Sequence, residues 1–284
     1  MNRKQIIELI QELVDKKSSF ENSTIELEKN LSSLSLEDIK SSLMQCGVIP
    51  ESFNHDSTEE KLYSKYTDIL LAKAFNSLGI KSTVVKQRAD SADVEGLTAE
   101  YSIVADAKAF RLSRTAKNQK DFKVEALNKW KKKKDFSCLV CPLYQYPRNS
   151  SQIYRQAIDR NVVLLAYVHL VYLLAQQDPN KKSYKELWNV GKKLKGAKNA
   201  GAYWTAVDKV ISKIVNQPLS DLKTFKEREL KALEITANYE KECLDNKIKT
   251  IKKMAHEEAI NELIKISKLE NKIAQIKKMI DQNK

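Results

Sequence analysis

The sequence predicts an α/β fold of the mixed α+β kind, a mixed central sheet flanked by helices, with a helical C-terminal region. Three observations predict it. FSCLVCPL (136–143) and NVVLLAY (161–167) are short and apolar throughout, as strands buried on both faces are. In SIVADAKAF (102–110), Ile103, Ala105, Ala107 and Ala109 alternate with Val104, Asp106, Lys108 and Phe110, the period of a half-buried strand. Helical periodicity fills the intervals between such runs and both ends of the chain.

In chain order, Ile6, Ile7, Leu9, Ile10, Leu13 and Val14 make a helical stripe over residues 2–17. Residues 37–46 form a second short helix, with Gly47 as its C-terminal cap. Ser57-x-x-Glu60 has the form of a capping box and opens a long helix to Leu78, ended by Gly79. The apolar face of that helix is Leu62, Tyr66, Ile69, Leu70, Ala74 and Leu78. Strand-like KSTVVKQ (81–87) follows, then ADVEGL (92–97), turning at Thr98–Tyr101 into the alternating run. A helix over 118–134 leads to the first apolar strand, a helix over 150–159 to the second, and a helix over 169–177 comes after it. From Tyr184 onward the pattern is all helix; Trp188, Tyr203 and Trp204 read as core or as stacking residues, core being favoured, and Leu269, Ile273, Ile276 and Ile280 follow coiled-coil a–d spacing, which fits an intramolecular helix pair or a dimer contact. This divides the chain into an N-terminal helical segment packed on the core (1–56), the core (57–180) and a helical region (181–284).

The net charge is +13. Residues 108–134 hold eleven Lys/Arg against two acids, so the positive charge is local and favours a polyanionic partner. No run of eighteen apolar residues exists and the N-terminal pattern contains acids, which argues against a membrane span or signal peptide and for the cytosol. Cys138 and Cys141 form a CxxC inside an apolar strand without a second pair, which reads as buried thiols rather than zinc ligands. His55, His169 and His256 show no ligand spacing, so histidine-driven catalysis has no support.

On a strand, Asp106 and Lys108 point to the same face, and a hairpin through Thr98–Tyr101 brings Asp93 across from them. Two carboxylates offer hard oxygen ligands for Mg²⁺, which takes one or two carboxylates, waters and phosphate oxygens. A neighbouring lysine neutralises charge developing on a phosphorane. The same D…DxK pattern also arises on a solvated strand edge. Glu60 reads either as a helix cap or as an accessory acid.

Three segments sharpen this. VADAKAFRLSRTAKNQKDFK (104–123), STEEKLYSKYTDILLAKAF (57–75) and QYPRNSSQIYRQAIDRNVVLLAYVHL (145–170) resemble the HindIII restriction endonuclease family. The resemblance implies a PD-(D/E)xK core and a homodimeric type II restriction enzyme that cuts double-stranded DNA with Mg²⁺. It implies a catalytic set of Asp93, Asp106, Lys108 and Glu60, with Asp93, Asp106 and Ala107 at the metal. The chain departs from the general pattern where Ala92, not proline, precedes Asp93.

The polar string after the catalytic strand fits DNA readout. Arg111, Arg114 and Lys117 suit phosphates, while Asn118, Lys120, Asp121 and Lys123 suit base edges. Asp121 could also assist the chemistry. The resemblance points to the palindrome 5′-AAGCTT-3′, one half-site per subunit, and to a cognate methyltransferase that is not a stable subunit. A cleavage-dead DNA-binding protein would lack Asp93, Asp106 or Lys108, and all three are present. A structure-selective junction nuclease would need less base-reading chemistry than residues 118–123 supply.

Overall fold

The computed structural model describes residues 1–85, 91–114, 118–176, 184–194, 199–267 and 269–281, excluding the side chains at 271, 275 and 278–281. The chain divides into two compact units, Met1–Ala237 and Asn238–Lys284.

The first unit is built on a five-stranded sheet in the order β1-β2-β3-β4-β5. The strands are β1 (Lys81–Val84), β2 (Val94–Leu97), β3 (Ser102–Ala107), β4 (Phe136–Val140) and β5 (Val162–Leu165). The first three run antiparallel, and β4 and β5 continue the sheet parallel to β3. The sheet is therefore mixed, with hairpin connections on one side and helical crossovers on the other. β4 and β5 are buried at every residue, in agreement with their unbroken apolar sequence. β3 differs from expectation. It is buried on both faces over Ile103–Ala107, not half-buried, because it is the central strand between the hairpin and the parallel pair.

Six helices come first or alternate with the strands: α1 (Arg3–Asp15), α2 (Phe20–Leu31), α3 (Leu36–Leu43), α4 (Thr58–Ser77), α5 (Val124–Lys131) and α6 (Gln152–Arg160). α4 forms the long axis of the sheet's cover. Ser57 caps it by accepting the Glu60 N–H, and Gly79, at φ 83°, ends it in the left-handed region. Its burial is wider than one stripe: Tyr63, Leu71 and Phe75 are buried as well as the expected face, because the sheet lies against it on one side and α1–α3 on the other. Sequence periodicity missed α2, whose buried positions are only Ser23, Leu27 and Leu31.

Expected helix boundaries shift, that of 169–177 to Tyr167–Leu174 among them, and two of the shifts have a visible cause. The helix ending before Gly47 stops at Leu43, and Gly47 serves a different purpose. A Cβ there would lie 2.0 Å from Pro142 Cγ, so only glycine lets this loop approach Pro142 and accept the Phe110 N–H at 3.0 Å. The expected helix over 118–134 is broken into a 3-10 turn, Gln119–Phe122, and α5, with Lys123 at φ 49° between them. Beyond the sheet come α7 (Tyr167–Leu174), α8 (Tyr184–Trp188), α9 (Ala200–Val215) and α10 (Leu219–Ile251). Trp188 and Tyr203 are buried core residues, as expected, and Trp204 is half-buried. The second unit holds α11 (His256–Ile266) and α12 (Leu269–Asp281). Leu269, Ile273 and Ile276 are exposed there, while the side chain of Ile280 lies outside the described residues. No helix among the described residues is long and apolar enough to cross a membrane.

Candidate active site

The hairpin and the central strand bring the predicted acids together. β2 pairs with β3 so that Val94 faces Ala105, which puts Asp93, just before β2, beside Asp106. Asp106 is fully buried, and Lys108 Nζ straddles its carboxylate at 2.8 Å from Oδ1 and 2.6 Å from Oδ2. Lys108 is itself held at the main chain. Its N–H donates to Val140 O at 2.8 Å, and its carbonyl accepts from the Tyr167 hydroxyl at 3.1 Å. Fixing both ends of the residue pre-organises its ammonium against Asp106. Ala107, buried between the two, has only its main-chain carbonyl to offer a cation.

A third carboxylate completes the group. Asp68, on the sheet side of α4, is buried, and one oxygen from each of Asp68, Asp93 and Asp106 lies within 4.8 Å of the others. Lys65, one turn earlier on α4, bridges two of them, 3.3 Å from Asp68 and 3.1 Å from Asp93. Neither Asp68 nor Lys65 was singled out from the sequence. The available signal was an acid inside a helical segment whose neighbours Tyr66, Ile69 and Leu70 are all apolar: aspartate is seldom buried there without a partner.

The electrostatics follow from crowding three acids with two lysines. Burial pushes Asp106 up to about 6 against the pull of Lys108, and Asp93 adds to the rise. Burial, then the charge of Asp93, holds Asp68 well above the usual carboxylate range. Burial acts the same way on Asp93, but Lys65, a hydrogen bond from Asp106 and Lys108 together hold it below its ordinary value. Lys108 is the mirror case: burial pulls it down, and Asp106 outweighs that and raises it. Like charges at this spacing cannot all ionise cheaply, so the cluster is poised to accept positive charge. Asp68 Oδ1 is buried without a hydrogen-bond partner. An all-oxygen donor set with an orphaned buried oxygen fits a hard divalent cation.

Glu60 is not part of this group. Its Oε2 accepts the Asp56 N–H at 2.6 Å and its Oε1 pairs with Arg111 at 3.3 Å. With His55 and Asp56 it forms a second acidic cluster at the start of α4, but both of those side chains are solvent-exposed.

The predicted DNA-reading residues fall into two groups. Arg111 turns inward, donating to Pro50 O at 3.0 Å and Phe53 O at 2.7 Å, besides its pair with Glu60. Ser113 bonds Glu51 through its N–H and hydroxyl, so residues 111–113 are laced to the loop at 50–53. Arg114 stacks over the Phe110 ring at 4.1 Å and pairs with Asp121, whose carboxylate also accepts the Asn118 N–H. Asn118, Lys120 and Lys123 are exposed. Lys117 lies outside the described residues. Cys138 and Cys141 are buried free thiols.

Comparison with known proteins shows the family of the chain. The family model described as HindIII restriction endonuclease matches residues 4–280. The type II restriction enzyme HindIII of Haemophilus influenzae is 37% identical over 291 residues, covering 97% of this chain and 94% of the relative.

Proposed function

Because the chain belongs to the HindIII restriction endonuclease family, we propose that it is a type II restriction endonuclease, hydrolysing double-stranded DNA at 5′-AAGCTT-3′ in a restriction-modification system. The observation that carries the chemistry is the convergence of Asp68, Asp93 and Asp106 with Lys108 against Asp106. Asp106 and Asp93, with Asp68 and the Ala107 carbonyl, would hold the divalent cation, Mg²⁺. When bound, that ion supplies Lewis-acid polarisation of the phosphate and a lowered pKa for coordinated water.

The residues of the chain do the rest. Asp106, drawn toward its charged form by Lys108, keeps the carboxylate available at neutral pH. Lys108, charged and held at both ends of its main chain, stabilises negative charge on the pentavalent phosphorus and orients the attacking water. Lys65 balances Asp68 and Asp93, so that the acids are not left as bare like charges before substrate arrives.

Recognition falls to the exposed Asn118, Lys120 and Lys123, with Arg114 and Asp121 shaping the turn that presents them. Lys117 belongs to the same segment. Arg111 anchors that segment to the core. A palindrome is read by two copies of the chain related by a two-fold axis, and the helical C-terminal region supplies surface for pairing and for embracing DNA. The protein acts in the bacterial cytosol, beside a methyltransferase that protects the host site and is not a stable subunit. Incubation of a plasmid of known sequence with the purified protein and Mg²⁺, followed by end sequencing, tests the reading. Cuts scattered without a common hexamer, or no cuts with any divalent cation, would overturn it.

A further inference from the structure

A groove of about 340 Å³ is lined by Ser91, Ala92, Glu95 and Val104 together with Trp130 and the lysines at 131–134. Two of its lining residues lie next to the acids along the chain. Ala92 directly precedes Asp93, and Val104, also on the groove, is two residues from Asp106 on β3. Alternate residues of a strand share a face, about 7 Å apart, which is the axial rise of about two nucleotides of one DNA strand.

The lysines are not equivalent. Lys134 pairs with Glu95 at 2.8 Å, and Lys131 donates to Arg160 O at 3.3 Å. Lys132 and Lys133 are exposed and have no ion-pair partner among the described residues. Four lysines thus face one acid, and Lys192 is near enough to add its charge to that of Lys131. Lys132 also has φ 43° and ψ −109°, within a turn closed by Lys134 N–H to Lys131 O at 2.7 Å. That turn position favours glycine, and a side chain there stores strain. Simple capping of the α5 dipole requires neither the strained position nor the location on a groove lined by the chain neighbours of Asp93 and Asp106.

We propose that this groove is a backbone-binding subsite, in which Lys132 and Lys133 hold a phosphate of the DNA strand flanking the scissile one and so position that strand at Asp93 and Asp106. This rests on the nuclease reading above. The lysines are positioning residues, and their contact carries no sequence information.

The test is fluorescence anisotropy of a 5′-AAGCTT-3′ duplex and a scrambled duplex, in Ca²⁺, across a salt series. Lys132→Ala with Lys133→Ala is expected to flatten the slope of log affinity against log salt by about 2 for both duplexes, leaving their ratio unchanged. The charge-matched pair Lys29→Ala with Lys209→Ala is expected to change it far less. Lys132→Gly, which relaxes the turn, is expected to melt higher than wild type yet lose about one unit of slope. Neutral methylphosphonates are then placed singly along the cognate strand. One or two positions beside the cut weaken wild type, and those losses vanish in the double variant. An unchanged slope, an equal effect of the matched pair, or losses that add at every position would overturn the subsite. A wild-type protein that binds neither duplex would instead remove the nuclease reading beneath it.

Discussion

The carboxylate cluster and the basic segment that follows it in the chain are both dense in charge, yet the fold treats them in opposite ways. Asp68, Asp93 and Asp106 come from a helix, the residue before β2 and the central strand and are pressed together, and burial and mutual repulsion raise two of the three. The segment after β3 is local in sequence, and its arginines are spread apart into separate intramolecular contacts. Charges gathered at high cost in a rigid interior are poised for chemistry, because positive charge arriving there relieves the cost. Charges that tie loops together are already satisfied, and only the exposed remainder is available to DNA.

That contrast breaks first at Asp106. Asp106→Asn should lower the single-turnover cleavage rate by about a thousandfold or more while Ca²⁺-supported binding persists, and Lys108→Ala should match it, since one lost transition-state contact costs about 3–4 kcal/mol. Cleavage at the wild-type rate by either variant would detach the DxK pair from the reaction.

Asp68→Asn sharpens the comparison within the cluster. Cleavage should fall by about a hundredfold, or about 2.7 kcal/mol, with a rise in the Mg²⁺ concentration for half-maximal rate. The melting temperature should hold or rise, because a crowded buried acid is replaced by a neutral amide. A variant that melts early and cuts normally would make Asp68 purely structural.

Arg111→Ala tests the other side. Removing it takes one hydrogen bond from each of the Pro50 and Phe53 carbonyls and the charge partner from Glu60, so stability should fall by about 3 kcal/mol in urea denaturation, while the cognate-to-scrambled binding ratio stays the same. A changed ratio with unchanged stability would return Arg111 to the DNA. Asn118→Ala should do the reverse: no stability loss beyond a few tenths of a kcal/mol, and a binding ratio narrowed by roughly 1–3 kcal/mol.

The smallest effect is one of pH. Asp106 is raised in the folded state to about 6 from 3.8. The folded protein therefore holds this proton more tightly than the unfolded chain, and the group costs stability increasingly as pH rises from about 4 through 6. In metal-free buffer, Asp106→Asn should gain melting temperature over wild type at pH 8 and show little difference at pH 4. A constant gap between the two proteins across that range would mean that Asp106 does not titrate as an isolated, raised acid.

Much of this was legible without coordinates. Apolar runs without a break mark β4 and β5, and DxK at period two marks the strand that carries Asp106 and leads into Lys108, because these signals are local and depend on a few adjacent residues. The segment 104–123, which resembles a known family, contains the same pair. Local pattern is also why α2 escaped: with few apolar residues, its stripe is weak, although its packing against α4 is not.

What only the tertiary structure decided is where charges separated along the chain meet. Asp68 and Lys65 belong to the site because α4 lies across the hairpin, a relation no spacing within 57–78 contains. Glu60 begins the same helix two turns away and joins Arg111 instead, since a helix end and its middle reach different neighbours. Arg111 reads as a phosphate contact in a string of cations and is a joint in the fold, because two carbonyls at 50 and 53 lie within reach of its guanidinium. Sequence sets which groups carry charge and in what local order; burial and the company each group keeps are long-range quantities, and they decide which of those charges are spent on the fold and which remain for the substrate.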